Sequence, residues 1–327
     1  MIVVDGESTD GTPSVVEGWM ARHPNIRLYR NPKRLSSAAR NVGVRRAAGD
    51  LIVFVDGHCE IENEHYLQNL VEAFRRSGAD CLGRPQPLDV PGASRLQCAI
   101  AAARASWLGH HPASWIYASR EGFVRPQSVA VAYRREVFEA VGLFDESFDA
   151  CEDVEFNHRV ERAGLRCFFT PAVRVRYYPR SSLRGLFRQL TRYGRGRIRL
   201  FRKHPGTFSV PCFVPMLILL AFAGTPLLAW APPRLAGPYL GMLAFYGVLT
   251  LVISLQVARR RRDWAILPWL PLVFATIHFA CGAGILQELL AGFARRRRPK
   301  TVPLPLEPTE DRSVRSAPLG AIPAIDS

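Results

Sequence analysis

No C-x-x-C pair occurs among the seven cysteines, Cys59, Cys81, Cys98, Cys151, Cys167, Cys212 and Cys281, so neither a close-pair zinc site nor a dithiol redox centre is indicated. Reduced thiols in a cytoplasmic domain are the plain reading of that scatter. A Gly-rich phosphate loop opening the domain is also missing, which weighs against a nucleotidyltransferase. Acidic side chains are in deficit, 28 Asp and Glu against 43 Lys and Arg, for a formal net charge of +15. They become rarer still after Pro211, where the long apolar runs lie. The arginine clusters sit beside those runs, so anionic lipid headgroups are the expected partner of the charge and nucleic acid is not.

What is present divides the 327 residues into an α/β part followed by a membrane part. Pro211 to Trp230 and Ala236 to Val257 each run uncharged for about 20 residues, enough to cross a hydrocarbon core. A third apolar stretch starts at Ala265 and continues past Ala283, with Glu288 inside it, to the cluster Arg295 to Arg298. About three membrane segments over 211–294 are expected, with Arg259 to Arg262 and the N-terminal domain on the cytoplasmic side. A single crossing by the third stretch would leave the last arginines outside, so a re-entrant or interfacial helix is the alternative there. The Pro-rich segment 299–327 reads as a disordered tail.

Ahead of the apolar runs, within 181–205, Arg184, Arg188, Arg192, Arg195, Arg199 and Arg202 recur at helical spacing, with Leu183, Leu186, Phe187, Leu190, Ile198 and Phe201 between them. That pattern predicts a basic amphipathic helix in the headgroup plane. A charged face on a packed helix would give the same pattern.

From residue 1 to about 180, strand-like and helix-like segments alternate. Ile2-Val3-Val4 predicts a strand ending at Asp5, and Thr12-Pro13 opens a helix reaching about Arg22. A strand at Ile26 to Tyr29, a helix from Ser36 to Ala48 and an apolar strand from Leu51 to Val55 follow. The alternation predicts a parallel βαβ sheet, with Asp5 and Asp56 at strand ends facing one crevice.

Four ordered blocks carry a resemblance. These are Asp5-Gly6-Glu7-Ser8-Thr9-Asp10-Gly11; Ser36-Ser37-Ala38-Ala39-Arg40-Asn41; Gly49-Asp50-Leu51 to Asp56-Gly57-His58; and Phe148-Asp149-Ala150-Cys151-Glu152-Asp153 onward to Gly164. In order and spacing they resemble the family 2 glycosyltransferases of the GT-A fold, a mostly parallel sheet flanked by helices. Tyr177 to Leu183, Gln189 to Tyr193 and Lys203-His204-Pro205 are similar to the subgroup acting in bacterial exopolysaccharide assembly, of the succinoglycan type. The likeness covers residues 1 to about 205.

The resemblance implies a membrane-anchored enzyme of the bacterial inner membrane. It would move a hexosyl group from a nucleoside-diphosphate sugar, UDP by expectation, to a lipid-linked glycan, with inversion. In the family an acidic D-x-D element holds a divalent cation on the diphosphate; here it reads Asp56-Gly57-His58, a departure that suits Mn²⁺ better than Mg²⁺. Asp5, Arg40 and Asp50 match nucleotide-side positions, and Gln189 and Arg192 match an element that contacts diphosphate or acceptor. Asp153 matches the general base, with Glu152 in support. On the residues alone, Arg40 reads equally as a helix-surface charge, Asp50 as a turn residue and Asp153 as an acidic group favouring a helix N-terminus. A non-catalytic membrane scaffold or translocation partner retaining the fold is the competing class. Members of the family carry another strand and helix before the strand matched by Ile2 to Val4, so the resemblance implies about 30 to 40 residues more upstream.

Overall fold

The computed structural model describes residues 1–88, 91–110, 115–230 and 232–297; the segment 299–327 expected to be disordered lies outside them. Strand β1 (Ile2–Asp5) leads to α1 (Thr12–Met20), whose Pro13 supplies a preset φ at the first turn, then to β2 (Arg27–Arg30), α2 (Ser36–Arg46) and β3 (Leu51–Val53). Next come β4 (Cys59–Glu60), α3 (Tyr66–Ser77), β5 (Cys81–Gly83), α4 (Arg95–Arg104), β6 (Gly122–Val124) and β7 (Ala130–Arg134). The order continues through α5 (Arg135–Val141), α6 (Glu152–Arg162), β8 (Cys167–Phe169), β9 (Arg176–Tyr177) and α7 (Leu183–Lys203). Helices α8 (Val214–Ala223), α9 (Pro233–Arg261) and α10 (Leu270–Arg297) complete the described chain.

The central sheet has five strands in the order β3-β7-β5-β8-β6. It is mixed rather than mostly parallel: β5 and β8 run parallel, while β7 is antiparallel to both β3 and β5, and β6 to β8. Alternating apolar segments reveal strands but not their direction, and β7 enters between two neighbours that precede it in the sequence. β1 and β2 pair in parallel with each other in a separate two-stranded sheet, and β4 pairs with β9 antiparallel in another. The strand expected to run to Val55 ends at Val53, and Val55 is 41% exposed, because the chain leaves the ladder to form the Asp56 turn.

Two apolar clusters clasp the sheet. Phe138, Phe144 and Phe156 stack beside Tyr133 and Ile52 on one side, while Tyr66, Leu70 and Phe74 of α3 cover Leu82 and Ala132 on the other. A third cluster joins Ala99, Ile100 and Ala103 of α4 and Leu186 of α7 to Ile253 and Val257 of α9 and Val273, Phe274 and Ile277 of α10. The apolar C-terminal helices therefore share a core with α4, which belongs to the N-terminal half.

Among the described residues two helices are long and apolar enough to cross a membrane, Arg234–Arg261 and Trp264–Gly292. The first apolar run is interrupted, since α8 ends at Gly224 and a tight 3₁₀ turn, Thr225–Trp230, follows with Pro226 in it. Helix α7 is continuous over 21 residues, as its periodicity predicted. Its buried side, Leu186, Gly194, Gly196, Ile198 and Leu200, packs on protein. Gly194 and Gly284 permit the closest approach to α10: a Cβ on Gly194 would stand 2.4 Å from the carbonyl oxygen of Cys281, and one on Gly284 2.1 Å from that of Thr191. Arg195, Arg199 and Arg202, expected to face phosphates, pair with Glu288 at 3.6, 3.1 and 3.2 Å. Arg184 and Arg188 remain exposed.

Candidate active site

Past the end of β3 the chain turns tightly, the amide of Cys59 donating to the carbonyl of Asp56 at 2.9 Å. Arg40 of α2 reaches this turn. Its Nη2 lies 3.2 Å from Asp56 Oδ1 and its Nη1 3.2 Å from Glu152 Oε1, with the side chain 15% exposed. The guanidinium also rests on Phe54 and Phe144, 5.7 and 5.5 Å from their ring centres. Arg40 is thus the bridge between the strand-end carboxylate and α6, not a surface charge. Burial disfavours its charge, but Asp56, Glu152 and Asp153 outweigh that and raise its pKa.

Glu152 is buried and also accepts from the Ser36 hydroxyl at 2.5 Å. Asp153, the next residue, keeps part of its surface exposed although protein crowds its carboxyl, with Oδ1 accepting from the Val154 amide at 2.9 Å. The surrounding protein, and after it the charge of Glu152, push the Asp153 carboxyl up to about 6, with Arg40 opposing. Cys151, immediately before, holds φ 63°, a left-handed conformation uncommon outside glycine. The bend is locked from behind, because Gly196 of α7 lies so near that a Cβ there would meet the Ala150 carbonyl oxygen at 2.6 Å.

On the other side of Arg40, Asp56 stays below the ordinary carboxylate value: burial raises it, and Arg40, His58 and Arg84 together more than offset that. His58 sits edge-on to Tyr177, ring centres 4.4 Å apart, and burial lowers its pKa. The donor atoms of Asp56, His58 and Cys59 all lie within 4.8 Å of one another. Oxygen, nitrogen and sulfur so grouped fit a divalent transition ion better than Mg²⁺.

The remaining expected residues divide. Gln189 donates to the Tyr177 hydroxyl at 3.0 Å and so joins the His58 side of the site, while its buried Oε1 has no partner among the described residues. Arg192 donates to the Asp149 carbonyl, which places it on the loop that leads into Glu152 and Asp153. Asp5 is buried at the end of β1 and accepts from the Ser8 amide at 2.9 Å; among the described residues no ion pair ties it to the Arg40 group. Bonds from Ser8 lower its pKa. Asp50 is a correction. It is exposed and precedes Leu51 at the start of β3, whereas the site gathers beyond the other end of that strand. Its carbonyl accepts from the Arg135 amide in a turn, as the local reading had it.

Arg84 escaped the sequence reading. Only 2% exposed, it follows β5 directly and donates to the Phe54 carbonyl at 2.8 Å and to the Tyr66 hydroxyl. A charged residue ending the apolar Cys81-Leu82-Gly83 strand was the available signal.

Comparison with known proteins bears on the family and the fold. The model of the family described as "Glycosyltransferase like family 2" matches residues 1–196. The succinoglycan biosynthesis protein ExoA of Rhizobium meliloti is 32% identical over 303 residues, 90% of this chain and 87% of that protein. A Methanococcus voltae protein, Dolichyl N-acetyl-alpha-D-glucosaminyl phosphate 3-beta-D-2,3-diacetamido-2,3-dideoxy-beta-D-glucuronosyltransferase, is 27% identical over 304 residues, 89% of this chain and 88% of its own. Among solved structures, the mannosyltransferase PcManGT of Pyrobaculum calidifontis, in complex with GDP-Man and Mn²⁺, has a TM-score of 0.56 at 20% identity, covering 89% of this chain and 77% of that one. That likeness supports the GT-A fold.

Proposed function

The chain belongs to the family 2 glycosyltransferases, and on that premise we propose that it transfers a sugar from a nucleoside-diphosphate donor, UDP-linked, to a lipid-linked glycan at the bacterial cytoplasmic membrane. Its relation to the succinoglycan protein and to the dolichyl-linked enzyme supports a role in exopolysaccharide or other surface-glycan synthesis. The apolar helices α9 and α10 support membrane attachment with the α/β half facing the cytoplasm.

The observation that carries the reading is the span of Arg40 between Asp56 and Glu152. It ties the Asp56 turn to the start of α6, which supports a donor end at Asp56 and His58 and an acceptor end at Asp153. Asp56 and His58 would hold a divalent cation, which would supply positive charge for the leaving diphosphate. Asp153 takes the acceptor's hydroxyl proton while the acceptor oxygen bonds to the anomeric carbon; the bond from that carbon to the phosphate oxygen breaks and its electron pair leaves with the nucleoside diphosphate. One displacement with one base inverts the anomeric centre. Glu152 keeps Arg40 in place, and Gln189 and Tyr177 form the wall beside His58.

The test is UDP release by purified protein given UDP-sugars and a lipid extract containing acceptors. Asp153→Asn should cut transfer by about 10²–10⁴-fold, the range for loss of a general base, while donor affinity holds within about twofold. Equal loss of donor affinity would reassign Asp153 to binding. No release with any donor would favour the scaffold.

A further inference from the structure

The turn that carries Asp56 and His58 brings a third donor with it. The Asp56 carbonyl accepts the amide of Cys59, which bends the chain back on itself. β4 then starts by pairing Cys59 with Tyr177, the residue whose ring lies against His58. Cys59 is a free thiol, partly buried, and no other Asp, Glu, His or Cys joins its group among the described residues.

The spacing admits one ion. Three atoms mutually within 4.8 Å have a common point no further than about 2.8 Å from each. Bonds to zinc run roughly 2.0–2.2 Å from nitrogen or oxygen and 2.3 Å from sulfur, so shifts of about 0.5–0.8 Å at most by side-chain rotation bring all three into range. The backbone is already set, because all three residues lie within one hydrogen-bonded turn. Three protein ligands with a vacant fourth position is the pattern of a cation that also meets a substrate.

We propose that Cys59 is the third protein ligand of the cation site, and that its sulfur gives this chain a preference for thiophilic divalent ions of the zinc and cobalt class over Mg²⁺. The inference rests on the metal-assisted transfer proposed above. On loading, the sulfur–metal bond forms and the thiol proton is released to solvent. As ligands, the carboxylate of Asp56 accepts any of these ions, the imidazole of His58 narrows the choice, and the thiolate excludes hard ions. Cys59 packs against the apolar cluster that includes Tyr66 and Leu82, which holds the turn's third donor against the core.

Titration of the full-length reduced protein in detergent with Co²⁺ tests this by absorption, independently of activity. The expected result is a near-ultraviolet thiolate-to-cobalt charge-transfer band together with visible ligand-field bands. Both should be displaced by Zn²⁺ but not by excess Mg²⁺. In Cys59→Ser, with an unchanged circular dichroism spectrum, the sulfur band should vanish and Co²⁺ affinity fall by roughly tenfold or more. Asp56→Ala should lose the visible bands as well. Ligand-field bands that require Asp56 but come without a sulfur band would overturn the role of Cys59 and leave the Asp56–His58 reading standing. A sulfur band that survives Cys59→Ser assigns it to another cysteine and also overturns the proposal. If the parent binds no Co²⁺, both the proposal and the metal-assisted reading fall.

Discussion

Glu288, 2% exposed inside the apolar helix α10, accepts from Arg199 of α7 at 3.1 Å. The same guanidinium donates to Asp149 at 2.8 Å, three residues before Glu152, and Arg192 donates to the Asp149 carbonyl. With Arg195 and Arg202 also on Glu288, the basic stripe ties an apolar C-terminal helix to the loop that sets Glu152 and Asp153. A lone charge in an apolar helix is costly unless partnered, and here its partners are three arginines from one neighbouring helix.

Glu288→Gln keeps the shape of the side chain and removes its charge. Loss of charge-assisted bonds should lower stability by roughly 1.5–3 kcal/mol, seen as a lower thermal midpoint in detergent. It should also lower kcat with little change in the donor KM, since the base loosens while the Asp56 side does not. Arg184→Gln, at an exposed position of the same stripe, should stay within about 0.5 kcal/mol of the parent. Equal effects of the two substitutions would show that α7 is not anchored through Glu288.

The pH dependence follows from Asp153, whose carboxyl is pushed up to about 6. A base works as the carboxylate, so transfer should hold above about pH 6 and fall roughly tenfold per unit below it. Glu152→Gln removes the like charge and should move the acid limb of kcat/KM to lower pH. An unmoved limb would assign it to another group. Stability carries the opposite sign. Between the ordinary 3.8 and about 6 the folded chain holds a proton that the unfolded chain has released, so this group's contribution declines as pH rises through that window.

The N-terminal elements were legible because their signals are local: Pro13 at a helix start, the apolar run at Leu51, and the acidic turn opening α6 at Glu152. The cluster of Asp56, Arg40, Glu152 and Asp153 was legible only through the order of the blocks. Arg40 meets Asp56 from 16 residues away, and Glu152 from far beyond, so no periodicity joins them. Asp50 was misplaced for the converse reason: motif position put it near Asp56, and a strand's length then carried it to the opposite end. The arginine spacing marks one helix, but Glu288, the partner of three of those arginines, lies 89 residues from Arg199 in another helix and no local pattern points to it. Hydropathy likewise registers the run from Pro211 to Trp230 but not the turn that interrupts it after Gly224.

At the metal end, Asp56→Ala should eliminate metal-dependent donor binding in calorimetric titrations with and without Mn²⁺. It removes a ligand and also leaves Arg40 with Glu152 as its paired carboxylate. His58→Asp should shift the metal preference toward Mg²⁺ by hardening the ligand set. A metal profile unchanged by His58→Asp would make His58 a packing partner of Tyr177 and no more.

Arg84 provides a test of how the strand end is held. Its guanidinium is almost wholly buried, bonds to the Phe54 carbonyl and the Tyr66 hydroxyl, and leaves its Nε without a partner among the described residues. Phe54 is two residues from Asp56 and lies beneath Arg40, so the brace acts on the segment that presents the donor site. Arg84→Met fills most of the volume and removes a buried charge, which by itself costs little or even stabilises. It also leaves the Phe54 carbonyl and the Tyr66 hydroxyl unpaired, each worth about 1–3 kcal/mol when buried. The expected outcome is a lower thermal midpoint together with weaker donor binding, and a kcat at saturating donor closer to the parent's. Arg84→Lys keeps the charge but, with a single ammonium in place of a planar fork, reaches one of the two oxygens and should restore donor affinity in part. Full recovery of stability by Lys with no recovery of donor affinity would separate the two roles and sink the brace. Unchanged donor affinity in both variants would confine Arg84 to the core.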